Sequence, residues 1–81
     1  MNYIVTNSDH PKIKIGAKVC VEVQTYNWHT VVRIINLLTR NEVRFNRAVL
    51  NETSQRREIT GYVFYGKVKK GFYRLVLAPC V

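Results

Sequence analysis

From residue 12 the chain reads Lys-Ile-Lys-Ile-Gly-Ala-Lys-Val-Cys-Val-Glu-Val-Gln, with Ile13, Ile15, Ala17, Val19, Val21 and Val23 on every second position and Lys12, Lys14, Lys18, Cys20, Glu22 and Gln24 among the positions between. A spacing of two puts all the apolar side chains on one side of an extended backbone, so the stretch predicts a long strand over 12–24 with a basic outer face. Gly16 interrupts the polar side, where a strand glycine marks a bend or a bulge. Upstream, Asn2 to Thr6 predicts a short edge strand, and Asn7-Ser8-Asp9-His10-Pro11 is turn chemistry throughout. Downstream, Gln24-Thr25-Tyr26-Asn27 is a polar break.

Residues 28–50 support two structures. As a helix, Val31, Ile34, Ile35, Leu38, Phe45 and Val49 share one face, and Arg33, Asn36, Arg40, Arg44 and Arg47 form an opposite stripe. The absence of Gly and Pro between Gly16 and Gly61 favours this reading, whereas the many β-branched residues and asparagines oppose it. As strands, Val31 to Ile35 and Glu42 to Val49 are β-rich runs joined by a turn near Thr39-Arg40-Asn41, and this is the reading preferred. Asn51 to Glu58 is a polar loop. Ile59 to Tyr65 and Phe72 to Ala78 are again β-rich, and Lys69-Lys70-Gly71 between them suits a type I turn whose last residue is left-handed, which predicts a hairpin.

The series Gly16-x-x-Val19-x-Val21, Trp28 with Val31-Val32-x-Ile34, and Val43-x-Phe45 resembles the opening of small SH3-like barrels of the KOW and Tudor kind, over residues 13–49. Eighty-one residues make a single domain over 1–81, and the resemblance implies that it is mainly β, built as one five-stranded SH3-like barrel. It also implies that the first and last strands lie side by side, with Lys12, Lys14 and Lys18 near Arg74. The chain departs from the pattern after the second strand, where such barrels carry Gly or Asp and this one has Thr39-Arg40-Asn41. The helix reading gives the alternative architecture, α+β with an amphipathic helix at about 30–49 packed on an antiparallel sheet.

Thirteen Lys and Arg against five Asp and Glu give a formal charge of +8. An excess this large on so short a chain calls for an anionic partner. The N-terminus has no basic segment followed by an apolar one, so no secretory signal is read and an intracellular protein is expected. Val31 to Leu38 is far short of a membrane span. Asn51-Glu52-Thr53 is a glycosylation sequon that an unsecreted chain does not use. Cys20 and Cys80 form neither a metal-ligand set nor a CxxC pair and are expected as free thiols, a bridge requiring the first long strand and the last to be neighbours.

Catalysis is not supported. The five carboxylates are scattered with no paired spacing, His10 and His29 are the only imidazoles, and no Ser or Cys has a His and an acid in a suggestive pattern. Gly66 and Gly71 have the spacing of a phosphate loop, but Phe72-Tyr73 stand where Lys and Ser or Thr are needed. No catalytic residue, metal site, cofactor or small-molecule substrate is therefore assigned.

The aromatics are five Tyr, three Phe and one Trp. Tyr62 and Phe64 alternate with Val63 and Tyr65, and Phe72 with Tyr73, so some are exposed. Exposed aromatics among Lys and Arg are the means by which single-stranded nucleic acid is held. The expectation is thus a nucleic-acid-binding domain (DNA or RNA) in which Lys67, Lys69, Lys70, Arg74, Arg56, Arg57, Lys12, Lys14 and Lys18 meet phosphates and Tyr26, Trp28 and Tyr65 stack on bases. The alternative is a protein-interaction module, of the kind of a small viral or phage accessory factor that docks on an acidic host protein. A monomer or weak dimer with no membrane partner is expected.

Overall fold

The computed structural model describes residues 2–65 and 69–80, the side chains of 64, 65, 69 and 70 excepted. Its strands are β1 (Asn2–Ser8), β2 (Lys18–Thr25), β3 (Thr30–Asn36), β4 (Glu42–Glu52), β5 (Arg57–Tyr65) and β6 (Lys69–Pro79). Each pairs antiparallel with the next, and β6 pairs with β1, which closes the sheet into a barrel with no helix among the described residues.

Residues 30–36 and 42–52 are therefore β3 and β4, and the helix alternative is not formed. The turn between them lies where expected, and Asn36 builds it. Its Oδ1 accepts from the backbone N–H groups of Leu38 (2.9 Å) and Thr39 (3.0 Å), and its carbonyl accepts from Arg40 N–H (2.8 Å). Arg40 closes the turn at φ 66°, so a bulky residue holds the left-handed conformation that Gly adopts at no steric cost.

Three expectations are corrected. The barrel has six strands where five were read, because Asn2–Ser8 is a full member that joins β2 on one side and β6 on the other. The strand expected over 12–24 begins only at Lys18. Residues 10–17 form a looped segment in which Ile13 is buried and Ile15 is exposed, so the alternation there is not that of a strand face. Gly16, at φ 92°, turns this segment back onto β1: its N–H donates to Val5 O (2.8 Å), and Val5 N–H donates to Ala17 O (3.0 Å). Finally, Lys69, Lys70 and Gly71 belong to β6, paired with Tyr65, Phe64 and Val63, and do not form the hairpin turn.

The interior is made by one parity of each strand. Tyr3 and Val5, Val19 and Val21, Val32 and Ile34, Phe45, Ile59 and Val63, and Leu75 and Leu77 form one buried cluster. Each such side chain stabilises the fold by about 1.5–3 kcal/mol relative to exposure. β4 turns the corner of the barrel by a bulge between Asn46 and Val49, where Arg47 takes φ 52°. Gly61 of β5 lies opposite, and a Cβ there would stand 3.0 Å from Asn46 O and 3.3 Å from Ala48 Cα. The glycine lets the bulged strand sit close.

Cys20 and Cys80 are free thiols. β1 separates them, with Cys20 paired to Asn2 on one side and Cys80 N–H donating to Asn2 O (3.1 Å) on the other. Two strand spacings amount to about 10 Å, beyond the Cα separation a disulfide spans.

Candidate functional site

The antiparallel meander sorts the connections into two groups. The segments β1–β2 and β3–β4 and the start of β6 lie at one end of the barrel. The turns β2–β3 and β4–β5, the start of β1 and the end of β6 lie at the other. This sorting separates residues that sequence reasoning had combined into one site.

All four glutamates are occupied by arginines. Glu22 pairs with Arg33 (2.8 Å), Glu42 with Arg33 and with Arg44 (3.1 Å), Glu52 with Arg57 (2.6 Å), and Glu58 with Arg56 (3.1 Å) and Arg74 (3.0 Å). Hydrogen bonds from Arg33 and then Arg44 hold the Glu42 carboxyl down to about 2. The bond from Arg74 lowers Glu58 in the same way, and each of these carboxylates in turn raises its first arginine, Arg33 or Arg74. Asp9 accepts from the backbone N–H of Arg74 (2.6 Å). Among the described side chains, the positive groups without an acid partner are Lys12, Lys14, Lys18, Arg40 and Arg47. All but Arg47 lie in the connections at, or next to, the first end.

The expected site residues fall into these places. Lys12 and Lys14 lie in the β1–β2 segment and Lys18 opens β2. Arg74 stands at mid-barrel on the outer face of β6, but β1 and not β2 is the neighbour of β6, so Lys18 lies one strand beyond the position the barrel resemblance implied. Arg56 and Arg57 lie at the second end. Arg57 is held by Glu52 and lies 5.1 Å above the Tyr3 ring, turned toward the barrel. Tyr26 and Trp28 belong to the β2–β3 turn, also at the second end, where Tyr26 stacks on His29 (5.1 Å, 22°) and Trp28 is 85% exposed. The stacking candidates Tyr26 and Trp28 are thus remote from Lys12, Lys14 and Lys18. Lys67 and the side chains of Tyr65, Lys69 and Lys70 lie outside the described residues.

The structure brings together a set that sequence reasoning did not name as a site. On the outer face of β4, β5 and β6, Tyr62 and Phe72 are cross-strand partners whose rings meet edge to face at 5.2 Å, exposed by 42% and 59%. The next row is Val49, Thr60 and Arg74, and Arg47 stands in the bulge between these two rows. The signal was available: Tyr62 and Phe72 alternate with Val63 and Tyr73, so the two pairs take opposite faces. No three His, Cys, Asp or Glu side chains converge to hold a metal ion among the described residues.

Compared with protein-family models, curated proteins and solved structures, the chain shows no match.

Proposed function

We propose that the chain is a small non-catalytic nucleic-acid-binding barrel, of the SH3-like kind, that takes a single strand across the outer face of β4–β5–β6. Tyr62 and Phe72 stack on bases, Arg47 and Arg74 meet phosphates, and the lysines of the first end extend the basic track. The observation that carries this reading is the exposed Tyr62–Phe72 pair beside Arg47, a cation with no acid partner, on a chain of net charge +8 whose glutamates are all occupied. A base on an aromatic face is worth about 1–3 kcal/mol, and the backbone charge adds affinity that salt removes.

The test is a fluorescence titration of labelled single- and double-stranded DNA and RNA at several salt concentrations. For about four to six phosphates engaged on a single strand, the log–log slope against salt is roughly −3 to −4. Tyr62→Ala and Phe72→Ala each weaken single-strand binding about fivefold or more at constant slope, while Trp28→Ala leaves it unchanged. A slope near zero, or equal loss with Trp28→Ala, overturns the assignment.

A further inference from the structure

The uncommitted charge gathers at the first end of the barrel, and that end is not plugged. The β1–β2 segment and the β3–β4 turn stand apart, leaving a cleft of about 400 Å³. Its floor is apolar, made by Ile13, Val19, Ile34 and Val43, and Lys12 and Lys14 stand on its walls. Ile15, which follows Lys14 of the lining, is 67% exposed, and Leu38, which precedes Thr39 of the lining, is 91% exposed, so each connection carries an exposed apolar residue next to the cleft in sequence. Lys18 opens β2 directly after Ala17 of the lining, and Arg40 lies in the β3–β4 turn between Thr39 and Asn41 of the lining. Of these four cations none has an acid partner among the described residues. The one carboxylate on the lining, Glu42, is outweighed by its two arginines, Arg33 and Arg44.

We infer that this cleft is a docking site for an acidic segment of a partner protein, which inserts one large apolar side chain onto the floor while its flanking carboxylates meet Lys12, Lys14, Lys18 and Arg40. Concavity and chemistry together select this occupant. A lipid bilayer presents a broad surface and does not fill a recess of this size. A nucleic-acid backbone brings the charge but no alkyl group for Ile13, Val19, Ile34 and Val43, and gains nothing from Ile15 and Leu38. A buried apolar anchor with a charged rim is how protein interfaces concentrate their affinity. The rim lysines then chiefly accelerate encounter. The inference rests on the apolar floor of the cleft, which the nucleic-acid reading does not use, and the two share only the lysines of the first end.

The experiment measures fluorescence anisotropy of short labelled peptides that carry one Leu, Phe or Trp among Asp and Glu residues. Matched peptides with Ser at the apolar position serve as controls, and vesicles of phosphatidylserine in phosphatidylcholine are titrated in parallel. The expected result is binding at least about tenfold tighter with the apolar anchor than with Ser, the scale of burying one such side chain. Leu38→Ser, on an exposed turn, weakens the peptide about fivefold or more, as does Ala17→Phe, which fills the cleft. Leu38→Ser leaves oligonucleotide affinity and unfolding temperature unchanged, so the outcome stands even where Ala17→Phe does not fold. Equal binding of anchor and Ser peptides, no peptide binding, or a Leu38→Ser defect confined to vesicles each overturns the proposal.

Discussion

At the scale of single residues, His10 and two arginines carry consequences that can be measured. His10 is buried in the β1–β2 segment, where its Nδ1 accepts from Lys12 N–H (3.0 Å) and its ring meets Tyr73 edge-on at 4.8 Å. Burial, and then the charge of Lys12, push its pKa below 6.5 against a smaller opposing pull from Asp9. Between its folded value and 6.5 the unfolded chain binds more protons than the folded one, so stability is full above about pH 6.5 and falls as pH drops below it. The unfolding temperature is expected to decline from about pH 7 to pH 5. His10→Asn, which keeps an acceptor for Lys12 N–H but does not titrate, flattens that decline; an unchanged pH profile in the variant would refute the assignment. Arg40 and Arg47 both hold left-handed backbone, at φ 66° and 52°, and neither has an acid partner. Glycine is less strained at both, so Arg40→Gly and Arg47→Gly are each expected to raise stability by about 0.5–1 kcal/mol, read in a denaturation midpoint. Arg47→Gly is also expected to reduce the salt slope of oligonucleotide binding by roughly 0.7, the share of one phosphate contact. A chain that gains stability while losing binding would show that Arg47 serves the ligand and not the fold.

At the scale of elements, the bulge in β4 and the glycine opposite it act as one device. A Cβ at Gly61 would press on the Asn46 carbonyl, the Phe45 side chain and the Ala48 backbone at 3.0–3.3 Å, and two of the three are backbone that cannot rotate away. Gly61→Ala is therefore expected to destabilise by about 1–3 kcal/mol, the scale of overpacking, whereas an alanine tolerated without loss would mean that β4 moves freely at its bulge. Neither partner of this device is legible in the sequence alone, since Gly61 reads as a weak strand residue and Arg47 as one of a basic stripe. What the sequence does disclose is residue preference: β5 and β6 read as β-rich runs, and β3 and β4 read as strands for their β-branched residues and asparagines although the same residues also trace a helical face, with the turn near Thr39-Arg40-Asn41 between them. The segment 12–17 was misread for a reason of the same kind. Its Ile13 and Ile15 alternate like a strand, but the polar turn before it and Gly16 fold it back onto Val5, and that contact depends on β1. The candidate site was half legible. Alternation gives the exposure of Tyr62 and Phe72, but the occupation of Glu22 and Glu42 by Arg33 follows from strand register, which local pattern does not carry.

At the scale of the whole molecule, closure rests on β1. The strand pairs with β2 through Asn2, Tyr3 and Ile4 and with β6 through Tyr3 to Ser8, joining residues some seventy positions apart. Every other pairing links sequence neighbours, so the meander can form locally, but only β1 removes its two edges. It also contributes Tyr3 and Val5 to the core, each worth about 1.5–3 kcal/mol when buried. A small domain is stable by only about 5–15 kcal/mol, so losing both side chains together with their strand pairing leaves little. A chain begun at residue 9 is expected to lose its cooperative thermal transition and to self-associate, because β2 and β6 then present unpaired N–H and C=O groups to other copies. Circular dichroism on heating and sedimentation velocity would read the two effects. Addition of a synthetic peptide of residues 2–8 is expected to restore a monomer with a cooperative transition, by filling the vacant position between β2 and β6. A truncated chain that stays monomeric and melts cooperatively would show instead that five strands close on their own, and that β1 lies on a barrel it does not hold together.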